Sequence, residues 1–148
     1  MKIRRNALRE LVHLTPRLDR YLSIRLEAGT PPLTVTQLYI LDRIAQGPTR
    51  SVDLARRARV SGATMSKILD RLVAAQWIAR EVDADDRRAF VISLTALGAE
   101  LLRTRNLAIE DDLATLLRSS SVADMEAIER ATNVLAAALD RRIAEVLA

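Results

Sequence analysis

The hydrophobic period of this chain changes in only one place, and that change bounds the folds open to it. Up to about residue 75, and again after residue 95, apolar residues recur at steps of three and four, as they do on amphipathic helices. Between those stretches, Ile78–Val82 and Phe90–Leu94 are short and rich in β-formers, and residues 83–88 (Asp-Ala-Asp-Asp-Arg-Arg) join them as a charged connector. Two short strands around a polar loop predict a β-hairpin, with a loop longer than the tightest turns and no other convincing β-structure. A mainly α fold with one small hairpin follows. Composition agrees, because 49% of the residues are apolar but only 3% are aromatic. Leucine and alanine make up most of the apolar share, and they lose little side-chain entropy in a helix.

The helices can be placed by their caps. Leu8, Leu11, Leu14 or Thr15, Leu18 and Leu22 mark a helix over residues 6–26, which Gly29-Thr30-Pro31-Pro32 ends. Thr34 with Gln37 forms a capping box for a second helix that turns Leu38, Leu41, Ile44 and Ala45 inward and stops at Gly47-Pro48. A short helix starts near Thr49 or Ser51 and runs to about Ala58. After the turn at Val60-Ser61-Gly62, Ser61 caps a helix with Met65, Ile68, Leu69 and Leu72 on its inner face. Trp77 is expected in the core at the junction with the hairpin. Thr95 caps a long helix to about Arg118, and Ser121 with Asp124 opens the last one. There Met125, Ile128, Thr132, Leu135, Leu139, Ile143 and Val146 form a narrow seam of the kind one helix shows to a partner helix. The 148 residues suit a single domain with its own core, without repeats or an internal linker.

Several function classes are disfavoured. The absence of cysteine removes disulfides, thiol redox chemistry and the soft ligands of structural zinc. With one histidine, His13, and no phosphate-binding glycine loop, the usual nucleophile–base pairs lack candidates, so no enzyme, cofactor or metal is expected. No apolar run reaches the length of a signal peptide or a membrane span, so a cytoplasmic protein is expected. The formal net charge is +4, and Lys2 and Lys67 are the only lysines among 23 basic residues. Arginine suits phosphate and guanine edges, although coding bias would also favour it, so placement counts for more than number.

Placement is informative. A short helix, a tight turn and a second helix make a helix-turn-helix, whose second helix enters the major groove by its N-terminal residues. Those residues here are Ser61, Thr64, Ser66 and Lys67, with Arg71 one turn beyond Lys67. The hairpin that follows would be a wing, with Arg87 and Arg88 at its tip, positioned for a narrow minor groove.

At these residues the chain resembles the MarR/SlyA transcriptional regulators over nearly its whole length. Leu33-Thr34-Val35-Thr36-Gln37, with Leu41, is similar to the family's entry to the second helix. Asp53-Leu54-Ala55 continues the likeness, and residues 64–72 (Thr-Met-Ser-Lys-Ile-Leu-Asp-Arg-Leu) look like its recognition helix. The most specific stretch is residues 83–98, similar to the family's wing signature of DxxDRR followed by a Val-x-Leu-Thr-x-x-Gly run. The chain departs from the pattern at Ala84, where Pro is frequent, and at Arg59, where Gly or Asn is frequent and the turn calls for an unusual backbone angle. It departs again at Gln76-Trp77, where Gly is common.

The resemblance implies a winged helix-turn-helix homodimer that reads a palindromic operator in double-stranded DNA, most simply as a repressor. Ser61, Thr64, Ser66, Lys67, Arg71, Arg87 and Arg88 would contact DNA, and Asp86 would brace a wing arginine. Residues 33–98 would form the winged lobe, 95–118 a connecting helix, and 1–30 and 119–148 the dimerisation helices. Family members often bind small aromatic acids near the dimer helices, and His13, Arg17, Tyr21 and Tyr39 are the candidates for such an effector. The alternative is a dimeric ligand-sequestering or protein-interaction module that does not read DNA; the complete wing argues against it.

Overall fold

A computed structural model describes residues 5–83, 86 and 89–147. Among the described residues, six helices and three strands follow in the order α1 (Arg5–Glu27), α2 (Val35–Ala45), β1 (Thr49–Arg50), α3 (Ser51–Ala58), α4 (Gly62–Ala74), β2 (Ile78–Val82), β3 (Phe90–Leu94), α5 (Ala96–Leu116) and α6 (Val122–Leu147). Among the described residues, no helix is long and apolar enough to cross a membrane.

The expected caps are all present. The Thr34 hydroxyl accepts the Gln37 N–H, and the Gln37 side chain accepts the Thr34 N–H. Ser61 accepts the N–H of Thr64 and Thr95 that of Gly98. Ser121 and Asp124 make a reciprocal pair at the start of α6. Each cap satisfies a backbone donor that the first turn of a helix leaves without a partner.

Two helix ends turn through the left-handed region at residues other than glycine. Arg59 lies at φ 53° and Gln76 at φ 60°. In both places the next residue donates back across the turn, Val60 N–H to the Ala55 carbonyl at 3.1 Å and Trp77 N–H to Leu72 at 3.0 Å. This six-residue closure requires the left-handed residue, usually glycine, and a side chain there costs about 1–2 kcal/mol. The Gln76 turn is also held by α5, since the Thr95 hydroxyl donates to the Gln76 carbonyl. At Gly98 a Cβ would stand 1.9 Å from the Trp77 carbonyl oxygen, so only glycine lets α5 approach that turn.

The hairpin carries a third strand that the sequence pattern did not reveal. β1 pairs antiparallel with β3, Thr49 opposite Ile92 and Arg50 opposite Val91, giving the order β1-β3-β2. Two residues are too few to show a period, so the segment read as the approach to a helix. A smaller correction concerns α2: Ile40 is buried and Ala45 is exposed, while Leu41 and Ile44 point inward as expected.

The core lies in the lobe formed by α2, α3, α4 and the sheet. Ile40, Leu41, Ile44, Leu54, Met65, Leu69, Leu72, Ile78 and Ile92 are almost fully removed from solvent, with Leu102 joining from α5. Trp77 is half-buried against this cluster, at the junction expected for it. The terminal helices are different. On α1, Leu26 alone is buried, and on α6 no described residue is. A bidentate pair between Arg25 and Asp112 ties α1 to α5, and the Arg105 guanidinium donates to the Pro31 carbonyl in the loop between α1 and α2.

Candidate nucleic-acid interface

α4 divides cleanly into two faces. Met65, Leu69 and Leu72 are buried, and Ser61, Thr64, Ser66, Lys67 and Arg71 are exposed. The division follows from the helical repeat, because the three apolar residues lie on one stripe and the polar ones fall outside it. At the N-terminal end the Ser61 and Thr64 hydroxyls lie 2.9 Å apart, so capping and outward hydrogen bonding share the same groups. The helix N-terminus adds a partial positive charge to that of Lys67, which favours phosphate.

The wing is oriented against α4 by ion pairs that sequence reasoning missed. Arg80 on β2 reaches Asp70 on α4 at 2.8 Å. At the base of the hairpin Asp83 is only 7% exposed and accepts from Arg50 on β1 at 2.8 Å. The hydrogen bond to Asp83, and then its charge, raises the pKa of the Arg50 guanidinium, so that group stays charged. A buried carboxylate without a cation would be costly, which makes Arg50 the natural brace for this end of the wing. The backbone closes the same corner, with Asp83 N–H donating to Ala89 and Ala89 N–H to Asp86.

Asp86, the expected brace, is exposed and adds its charge to the field at Arg50. Arg87 and Arg88 lie outside the described residues. Nothing local in the sequence marks Arg50, whose partner is 33 residues away. Asp83 does belong to the charged connector, but its burial is a tertiary fact.

The four effector candidates are not gathered into one cavity. His13 and Arg17 line an open groove along α1 with Glu10, Leu11 and Leu14. Tyr21 is half-buried further along α1, and Tyr39 packs from α2 against the core of the lobe. No group of three or more metal-ligating side chains occurs among the described residues.

Comparisons with known proteins agree with this arrangement. The model of the MarR family matches residues 32–89, from the entry of α2 to the wing. The HTH-type transcriptional repressor NicR of Pseudomonas putida is 34% identical over 77 residues, which cover 51% of this chain and 49% of NicR, about half its length. A solved structure of MarR superposes with a TM-score of 0.75 at 26% identity, over 93% of this chain and 94% of that one. A cysteine-to-serine variant of MarR from E. coli, complexed with operator DNA, shares the fold at a TM-score of 0.63 and 23% identity, over 87% and 93% of the two chains.

Proposed function

We propose that this chain is a winged helix-turn-helix transcriptional regulator of the MarR family, as the match of residues 32–89 to the family model and the shared fold support, and that it acts in the cytoplasm as a homodimeric repressor of a palindromic operator. The observation that carries the proposal is the exposed face of α4. Ser61, Thr64, Ser66, Lys67 and Arg71 stand clear of the core on a helix whose other face the lobe holds rigidly. Hydroxyls at the N-terminal end allow close approach to base edges, and Lys67 and Arg71 supply phosphate contacts. Arg87 and Arg88 would enter the adjacent minor groove, with Asp86 bracing one of them. Similar proteins bear on this: the NicR relative is named a repressor, and the E. coli MarR variant is a complex with operator DNA.

Dimerisation through residues 1–30 and 119–148 is supported by the apolar side chains those helices leave in solvent. Leu8 on α1 is 49% exposed, and Leu139 and Val146 on the α6 seam are 58% and 57% exposed. A two-fold dimer would place two α4 helices on successive major grooves, which is why a palindrome is expected. His13, Arg17, Tyr21 and Tyr39 remain candidates for an effector that modulates binding, His13 and Arg17 by virtue of their shared groove.

The test is affinity selection of fragmented host DNA on the purified protein near physiological salt, followed by sequencing. A palindromic site should be recovered, and Lys67→Ala or Arg88→Ala should each weaken binding to it by ~1–3 kcal/mol. Affinity should fall steeply with salt as phosphate contacts release counterions. Recovery of no DNA above background would favour the sequestering dimer instead.

A further inference from the structure

The contacts assigned above to α4 and the wing leave Arg59 without a role, although its position is costly. It holds the left-handed turn between α3 and α4 at φ 53°, where glycine would be free of strain. Its side chain is exposed, so packing does not offset that strain. Strained residues that contribute nothing to the core are reasonable places to look for a binding role.

The surroundings of Arg59 carry one sign of charge. From Leu54 to Leu69 the chain has no acidic residue but four cations, Arg56, Arg57, Arg59 and Lys67, and all four are exposed. Asp53, the acid just before this stretch, is engaged by Arg56 at 2.7 Å. The guanidiniums of Arg57 and Arg59 have no ion-pair partner among the described residues. Across a cleft from them, Arg142 of α6 adds a third guanidinium, which Glu145 engages at 2.9 Å. Like charges left unpaired this close together repel one another and attract a polyanion.

We propose that Arg57 and Arg59 form a phosphate clamp, which extends the DNA contact of α4 onto the backbone at the edge of the groove. The clamp rests on the reading of α4 as a recognition helix. Arg59 precedes Ser61, the N-cap of α4, by two residues, a backbone span of at most ~7 Å. A recognition helix enters by that end into a major groove about 12 Å wide, so the Arg59 guanidinium comes within reach of the bordering phosphates. Arg57, two residues earlier, belongs to α3, and the first helix of such a motif crosses the backbone. Arginine forks suit phosphate oxygens. Phosphate contacts carry no sequence information, so the clamp supplies affinity and salt dependence rather than specificity.

Binding is measured by fluorescence anisotropy between about 50 and 200 mM salt. The probes are a random-sequence duplex of ~30 base pairs, about three helical turns, and the duplex recovered by affinity selection. Arg57→Ala and Arg59→Gly should each weaken binding to both duplexes about tenfold, as the loss of one charged hydrogen bond would. Each should also lower the slope of log affinity against log salt by about one. The glycine suits the turn, so a circular dichroism melt should show that variant folded. Arg59→Lys keeps the charge and the strain, and should keep most of the slope. A parental slope in both single variants overturns the clamp and leaves the DNA reading intact. A loss confined to the recovered duplex overturns it too, because the contact would then be to bases. If Arg59→Lys loses as much slope as Arg59→Gly, charge is not what the position supplies, and the clamp is again overturned. A parent chain that binds neither duplex overturns the clamp and the DNA reading together.

Discussion

The winged lobe and the terminal helices use apolar residues in opposite ways. In the lobe, α2, α3, α4 and the sheet enclose a cluster whose members are almost wholly removed from water within one chain. α1 and α6 carry comparable apolar content, yet α6 buries none of its described side chains and α1 buries only Leu26. Besides the buried Leu26, the Arg25–Asp112 pair ties α1 to the rest, with the Arg105 contact to Pro31 in the loop that follows. Exposed pairs of this kind contribute little stability. The lobe therefore carries the core, while the terminal helices leave apolar surface open, as the proposed dimer would require.

The difference predicts two kinds of mutational response. Leu69 sits at the centre of the lobe with no exposure at all, so Leu69→Ala should cost about 3–5 kcal/mol in chemical unfolding. A cost below about 1 kcal/mol would mean that the lobe is not the rigid unit described. Ile128→Asp should act on association instead. Burying an isoleucine contributes roughly 1.5–3 kcal/mol, and a two-fold interface would lose it twice, so dimer dissociation should rise about a hundredfold or more. Sedimentation equilibrium would measure this, and the melting temperature of the parent should rise with protein concentration while that of the variant should not. An unaltered association constant would break the comparison.

Two smaller effects sharpen it. Arg59→Gly removes about 1–2 kcal/mol of left-handed strain but adds conformational freedom to the unfolded chain, so a net gain of about 0.5–1 kcal/mol is expected by thermal unfolding. The smallest concerns the start of α6, where the hydrogen bonds from Ser121 lower the Asp124 pKa. Because the folded pKa lies below the unfolded one, the cap stabilises fully above the ordinary carboxylate range and is lost as pH falls through the folded value. Amide exchange in the first turn of α6 should quicken on acidification, and Asp124→Asn should flatten that pH dependence while leaving the lobe unchanged.

Much of the proposed DNA-binding face could be read directly from residue order. Once Met65, Leu69 and Leu72 are assigned inward, the helical repeat puts Ser61, Thr64, Ser66, Lys67 and Arg71 elsewhere on α4, and the structure finds them exposed. A second brace of the wing could not be read in that way. Beside Asp86, to which the resemblance points, the structure pairs the buried carboxylate of Asp83 with Arg50, from a strand too short to leave a pattern.

The dividing line is the range of the interaction. Helix positions, the caps at Thr34, Ser61, Thr95 and Ser121, and the unusual turn at Arg59 arise within about six residues, so the amino-acid order alone dictates them. The third strand, the Asp70–Arg80 and Arg50–Asp83 pairs, the burial of Ile40 rather than Ala45, and the cleft joining Arg59 to Arg142 depend on which distant segments meet. Those meetings are decided by packing one apolar surface against another, which is non-directional and leaves no local mark in the chain.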